Sequence, residues 1–161
     1  MLSLEELNNH FKTLPDWDHY FLSFIPLVKS RSKDKHTQVG CVVVNEFNNI
    51  VMTGYNSLAA GINDHVPERY ERPEKYDWMV HSEENAICAA AKAGIRLYGT
   101  RMYQPGLPCM TCARMIIQAG IKEIIYSKEQ LALWNSPKYD ATMLNKSKQM
   151  LFEAQIKVRG V

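Results

Sequence analysis

Two short segments of the 161-residue chain carry residue types that do chemistry together. One is His81-Ser82-Glu83; the other is Pro108-Cys109-Met110-Thr111-Cys112, with Cys109 28 positions after His81. Cys109 and Cys112 are three residues apart, so a helix presents both sulfurs to one point on one face. A helix N-terminus favours negative charge and helps keep both as thiolates. Pro108 suits a helix start, where no intrahelical donor is lost. One imidazole and two thiolates match the nitrogen and sulfur preference of Zn²⁺, and three protein ligands leave the fourth tetrahedral position open, as in catalytic sites. Water at such a position has its pKa lowered to ~7. Glu83, two residues past His81, is then placed as a proton carrier rather than a ligand, work that contributes ~10²–10⁴ in rate.

Each segment alone is weak: a lone CxxC also serves as a redox pair, and HxE recurs by chance. The order of the two, with Pro before the first Cys and both at expected helix starts, makes the combination specific. The rival is a closed structural zinc with Cys88 or Cys41 as fourth ligand. Cys88 falls mid-helix among alanines and Cys41 in a Val-rich strand, so both read more simply as small buried apolar residues.

The elements that must position these groups can be read from periodicity. Ser3 and Glu6 form a capping-box pattern that opens a helix over 3–11. Trp17, Tyr20, Phe21, Phe24, Leu27 and Val28 recur at helical spacing over 16–30, with Pro26 expected to kink the helix or begin a new turn. Strands are expected at 37–45 and 50–56, joined as a hairpin. Residues 57–80 show no periodicity and read as an irregular loop, of a length that is functional or disordered rather than mere connection. A helix over 82–93 stops at Gly94, strand 100–104 leads to a helix over 109–119, and strand 122–127 follows. The rest reads as mostly helical to 154, with a last strand at 156–160. Helices alternating with five strands, opened by a hairpin, predict a single three-layer α/β domain over 1–161 with a mixed sheet.

Composition narrows the class. Nineteen Lys+Arg against seventeen Asp+Glu give a formal net charge of +2, not the basic footprint of a nucleic-acid binder. With 46% hydrophobic residues the chain is not of disordered type. No apolar run approaches the ~20 residues that span a bilayer, and MLSLEELNNHFK has no signal-peptide h-region. Four cysteines in that context read as thiols of a reducing compartment, which predicts a soluble, cytoplasmic protein.

H-x-E followed by P-C-x-x-C is the signature of the zinc nucleobase deaminases. Within them the chain resembles the deoxycytidylate (dCMP) deaminase family, through RSKD (31–34), TQVG (37–40), GYN (54–56), HSEENAI (81–87) and PCMTCARMIIQAGIKEIIY (108–126). The resemblance implies the three-layer α/β/α cytidine-deaminase-like fold with a central mixed five-stranded sheet. It implies hydrolysis of dCMP to dUMP and ammonia, feeding thymidylate synthesis. His81, Cys109 and Cys112 would hold one Zn²⁺ per subunit. Glu83 would take the water proton, deliver it to N3 of cytosine and later protonate the departing ammonia. Asn45 matches a family position that holds the deoxyribose. The family further implies a homohexamer, activated by dCTP and inhibited by dTTP with Mg²⁺, its effector site associated with the GYN segment (Tyr55, Asn56) and the loop after it. Two positions depart from the family's usual residues: Ser57, where Gly follows GYN, and Ser82, where Ala separates His and Glu.

Read with that resemblance, Arg31 and Lys33 in the KSRSKDK stretch become candidates for the substrate phosphate, which Arg engages bidentately. On charge alone the stretch is a solvated turn. Tyr126 has either a pocket or a core role. Asp64, His65 and Arg69 supply the cations and carboxylate that an effector triphosphate with Mg²⁺ needs, and Lys92 adds a cation on the helix that His81 opens. Rival readings are a tRNA-adenosine or nucleoside deaminase and a non-enzymatic zinc module. The charge balance opposes the tRNA version and Glu83 opposes the module.

Overall fold

The computed structural model describes residues 3–132 and 141–161. In chain order the elements are α1 (Leu4–Phe11), α2 (Trp17–Leu22), α3 (Ile25–Lys29), β1 (Gly40–Val44), β2 (Ile50–Tyr55) and β3 (Ser57–Leu58). A 3₁₀ turn (Pro67–Tyr70), α4 (Lys75–Trp78) and β4 (Met79–Val80) precede α5 (Ser82–Ala93). Then come β5 (Arg101–Gln104), α6 (Met110–Gln118), β6 (Glu123–Tyr126), α7 (Lys128–Ala132), α8 (Ala141–Glu153) and β7 (Lys157–Gly160).

The main sheet has five strands in the order β2-β1-β5-β6-β7. β1 runs antiparallel to both neighbours, whereas β5, β6 and β7 are parallel to one another. Every residue of β1 is buried, as its near-continuous apolar run requires of a strand covered on both faces. Alternation along the strand separates two cores. Cys41 and Val43 face Ala86, Ala90, Met102, Ala113, Ile116, Ile124 and Leu151, beneath α5, α6 and α8. Val42 and Val44 face Phe21, Ile25, Tyr103 and Ile125, beneath α2 and α3. Helices therefore cover both faces of a mixed sheet, the three-layer α/β/α arrangement. No helix among the described residues is long and apolar enough to cross a membrane.

Four readings of the sequence are corrected. The helix expected over 16–30 is two helices, α2 and α3. Pro26 lies in the first turn of α3, and its ring cannot coexist with a helical carbonyl four residues earlier, at Leu22. The strand expected over 37–45 is confined to Gly40–Val44, because the segment before it is held by side chains rather than by a neighbouring strand. Residues 57–80 are not wholly irregular: Ser57–Leu58 pairs antiparallel with Met79–Val80, closing the excursion at its base. Cys88 is exposed rather than buried, because the inner face of α5 is drawn by Ala86 and Ala90, and position 88 points away from it. The stretch read as mostly helical to 154 contains α7 and α8, with 133–140 outside the described residues.

Local signals are realised at the helix ends. Ser3 and Glu6 make both bonds of the capping box. Gly94 terminates α5 in the left-handed region at φ 69°, where a Cβ is disfavoured.

Candidate active site

His81 is the N-cap of α5 and Cys109 the N-cap of α6, so two helices on the same face of the sheet begin at the residues singled out for chemistry. Cys112 lies one turn into α6. His81 Nδ1 stands 3.5 Å from Cys109 Sγ and 3.4 Å from Cys112 Sγ. The three ligand atoms lie within 4.8 Å of one another, His81 exposed, Cys109 half-buried and Cys112 buried. A tetrahedral ion with Zn–S of about 2.3 Å and Zn–N of about 2.0 Å has an N···S edge of about 3.5 Å. The donor types and their spacing both fit zinc. Neither remaining cysteine joins the group: Cys88 is on the outer face of α5, and Cys41 donates to the Ser82 carbonyl at 3.3 Å. Among the described residues the centre has three protein ligands.

The electrostatics follow from the crowding. Hydrogen bonding from the Cys112 thiol, then from His81, brings Cys109 down to about 4. Cys112 is pushed up, because it holds the proton shared with the Cys109 sulfur. His81 is raised to about 9, chiefly by its bond to Cys109 and against the cost of burial. Binding of a divalent cation displaces the protons that His81 and Cys112 otherwise hold. Glu83 is 8% exposed, and burial pushes its carboxyl up from the ordinary value. Ser82 Oγ donates to Glu83 Oε2 at 2.8 Å, which opposes that rise and orients the carboxyl.

The N-terminus of α5 is seated by close backbone approach. A Cβ on Gly54 would stand 2.1 Å from the Ser82 carbonyl oxygen and 2.7 Å from the Ala86 nitrogen, so only glycine admits the helix this near β2. Asn85 Nδ2 adds bonds to the Tyr55 carbonyl at 2.8 Å and to Ser57 Oγ at 3.1 Å.

The other candidate residues are distributed unevenly. Asn45 is not brought to the metal-ligand group. It follows Val44, which pairs with Arg101 at the start of β5, whereas the cysteines follow the end of β5. Its Oδ1 is spent on the Phe47 and Asn49 N–H groups of the hairpin turn. Tyr126 ends β6 beside Gln104, at the edge of the sheet from which the chain runs to Cys109, and its ring covers Gly160. Arg31 is exposed just after α3. Lys33 is ion-paired with Asp64, which holds the Asp64 carboxyl below its ordinary range. Two charged candidates from separate segments therefore meet. Arg69 stacks over Trp78 at 4.1 Å and donates to the Asn63 carbonyl, and His65 is exposed. Lys92 lies near the far end of α5, about 16 Å along the axis from His81.

Asn56 is buried. Its Oδ1 accepts from the Val39 N–H at 2.8 Å, and its Nδ2 donates to the Thr37 carbonyl and to Asp34. Asp34, 0% exposed, is in turn ion-paired with buried Lys75. This network ties the 31–39 segment to the end of β2 and to α4. Sequence reasoning missed Asp34 and Lys75, because a contact between residues so distant in the chain leaves no periodic trace. It also missed the packing role of Gly54, for which the glycine inside a strand pattern was the available signal.

A metal-ligand triad of two helix starts and a buried carboxyl, on a three-layer α/β/α scaffold, defines a zinc-hydrolase type of centre. The chain matches the cytidine and deoxycytidylate deaminase zinc-binding region over residues 15–128. It is 38% identical over 120 residues to human deoxycytidylate deaminase, covering 71% of this chain and 66% of the relative. It is 37% identical over 145 residues to a probable deoxycytidylate deaminase of Drosophila melanogaster, covering 84% and 67%. The chain thus spans about two thirds of the length of these relatives. Among solved structures, the dCMP deaminase of cyanophage S-TIM5 in complex with dCMP and dUMP aligns with a TM-score of 0.71 at 22% identity, covering 92% of this chain and 99% of that one. The chain belongs to the cytidine and deoxycytidylate deaminase family.

Proposed function

We propose that the chain hydrolyses dCMP to dUMP and ammonia at a zinc ion held by His81, Cys109 and Cys112. The observation that carries the reading is the spacing of 3.4–3.5 Å between one imidazole nitrogen and two sulfurs, with a buried carboxyl two residues beyond the imidazole. When bound, zinc lowers the pKa of a coordinated water to about 7 and so provides hydroxide at neutral pH. Glu83 would accept the proton of that water and pass it to N3 of the cytosine ring as the C4–O bond forms, then take the proton of the C4 hydroxyl and deliver it to the amine as the C4–N bond breaks. Burial raises the pKa of Glu83 above the ordinary carboxyl value, the direction that makes it a stronger proton acceptor. Ser82 holds the carboxyl in one orientation during the exchange.

The choice of dCMP is supported by the name of the human relative and by the cations Arg31 and Lys33, offered here as the phosphate contacts. Tyr126, at the same edge of the sheet, is offered as a wall of the pocket. Asn45 is left outside, its side-chain oxygen already used. The reading extends to supply of dUMP for thymidylate synthesis, in the cytoplasm, by a homohexamer activated by dCTP and inhibited by dTTP with Mg²⁺. For the effector site we propose Asp64, His65, Arg69 and Lys92 as groups that meet the nucleotide. Tyr55 and Asn56 link that region to the sheet. Regulation then requires a difference in affinity of dCTP and dTTP between active and inactive states. Rates that ignore both nucleotides at saturation, with Mg²⁺ present, count against it.

The test is purified protein with dCMP, deoxycytidine and an adenosine-bearing tRNA stem-loop, followed by ammonia release and metal analysis. Release from dCMP is expected, with about one zinc per chain as an open three-ligand site predicts. Glu83→Gln should keep the zinc and lose turnover by ~10²–10⁴. Near-normal turnover in that variant removes Glu83 from the mechanism.

A further inference from the structure

Four residues, Pro105-Gly106-Leu107-Pro108, connect the end of β5 to the Cys109 cap, so they set where the Cys109 sulfur stands. Two of them are prolines without an N–H, which leaves the stretch little capacity to tie itself down with its own donors. Its carbonyls are held from outside. Gln104 Nε2 donates to the Gly106 carbonyl at 2.8 Å, and Ser147 Oγ, on α8, donates to the Pro108 carbonyl at 2.7 Å. Both side chains are 1% exposed. Gln104 Oε1, by contrast, is buried with no hydrogen-bond partner among the described residues. An unpaired buried carbonyl is a cost that an apolar side chain at that position avoids. What the glutamine supplies in return is its amide N–H on Gly106. By strand alternation Gln104 points to the same face as Met102, the face that packs against Ala113 and Ile116 of α6.

We infer that Gln104 and Ser147 are positioning residues for the metal centre. One from the end of β5 that leads into the 105–108 segment and the other from distant α8, they clamp that segment and hold Cys109 at the spacing from His81 and Cys112 that fits zinc. The inference rests on the zinc reading above. The Ser147 bond acts most directly, since the Pro108 carbonyl belongs to the peptide plane that carries the Cys109 N–H. Outer groups of this kind decide how far ligands are pre-placed before the ion arrives.

The test uses the zinc-loaded wild type with Gln104→Met, Ser147→Ala and, as a control on the opposite face of the sheet, Asp18→Asn. Three quantities are read: zinc release to a chromophoric chelator, the d–d and thiolate charge-transfer bands after Co²⁺ substitution, and the melting midpoint without metal. Gln104→Met and Ser147→Ala are expected to release zinc ~10–100-fold faster and to shift the Co²⁺ bands. Asp18→Asn is expected to lower the midpoint while leaving release and spectrum unchanged. The clamp is overturned if zinc-loaded wild type and both variants share one release rate and one spectrum. It is equally overturned if Asp18→Asn speeds release as much as they do, since faster release then reports general loosening. A wild type that holds no zinc refutes the metal centre itself, a result distinct from either.

Discussion

Gly54→Ala tests whether the seat of α5 on β2 governs both stability and chemistry. The added Cβ meets the Ser82 carbonyl oxygen at 2.1 Å, the Ala86 nitrogen at 2.7 Å and the Ala86 Cβ at 2.8 Å. Two of these are backbone atoms, which cannot rotate aside as a flexible side-chain end can. Restoring ordinary contact requires α5 to retreat by about 1 Å at its first turn. That turn carries Glu83, and the helix cap is His81. Overpacking of this kind costs about 1–3 kcal/mol, which for a chain of this size lowers the melting midpoint by about 2–12 °C. A displacement of about 1 Å between a proton carrier and its reacting atoms costs on the order of 10²-fold in turnover. Thermal melting and dCMP turnover on the same zinc-loaded preparation measure the two effects together. A variant with wild-type melting and wild-type turnover refutes the close approach as the reason for glycine here.

Lys75→Met should destabilise by about 3–5 kcal/mol, because it leaves the fully buried Asp34 carboxylate without its ion partner. Adding Asp34→Asn should recover part of that loss in urea titration, since no buried charge is then stranded; no recovery argues that the pair is not the source. Asp18 is held below the usual carboxylate range, first by its hydrogen bond from Arg159. Its folded pKa is depressed, so its stabilisation is complete above about pH 4 and vanishes as pH falls through the lowered value. Asp18→Asn should therefore cost about 1–3 kcal/mol at pH 7 and converge on wild type in acid, as urea midpoints across pH will show. A pH-independent difference excludes the charge as the cause.

What was legible along the chain was whatever repeats locally or requires a particular residue at a particular offset. The capping box at Ser3 and Glu6 spans one turn and forms as read. The stop at Gly94 needs only a left-handed residue. The Val run of β1 declared a strand covered on both faces, and alternating helices and strands implied the layers that enclose it. The metal-ligand residues were legible because their types are rare in combination, and each segment is compact enough to sit at one helix start.

The tertiary structure decided what meets across the chain. Pro26 announced a disturbance whose form, a break between two helices rather than a kink in one, shows only in the fold, where Phe21 and Ile25 of the two pieces join one core. The side chain of Asn45 was claimed by its own turn, a local competition invisible at the level of residue type. Asp34 found Lys75, Lys33 found Asp64, and Ser147 found the Pro108 carbonyl. None of these pairings is encoded by spacing, because each depends on where the sheet order and helix layers bring distant segments. Sequence by itself determined which groups could hold an ion and move a proton; only the folded backbone determined the ångström-scale distances between them, because chain closure and packing set those distances.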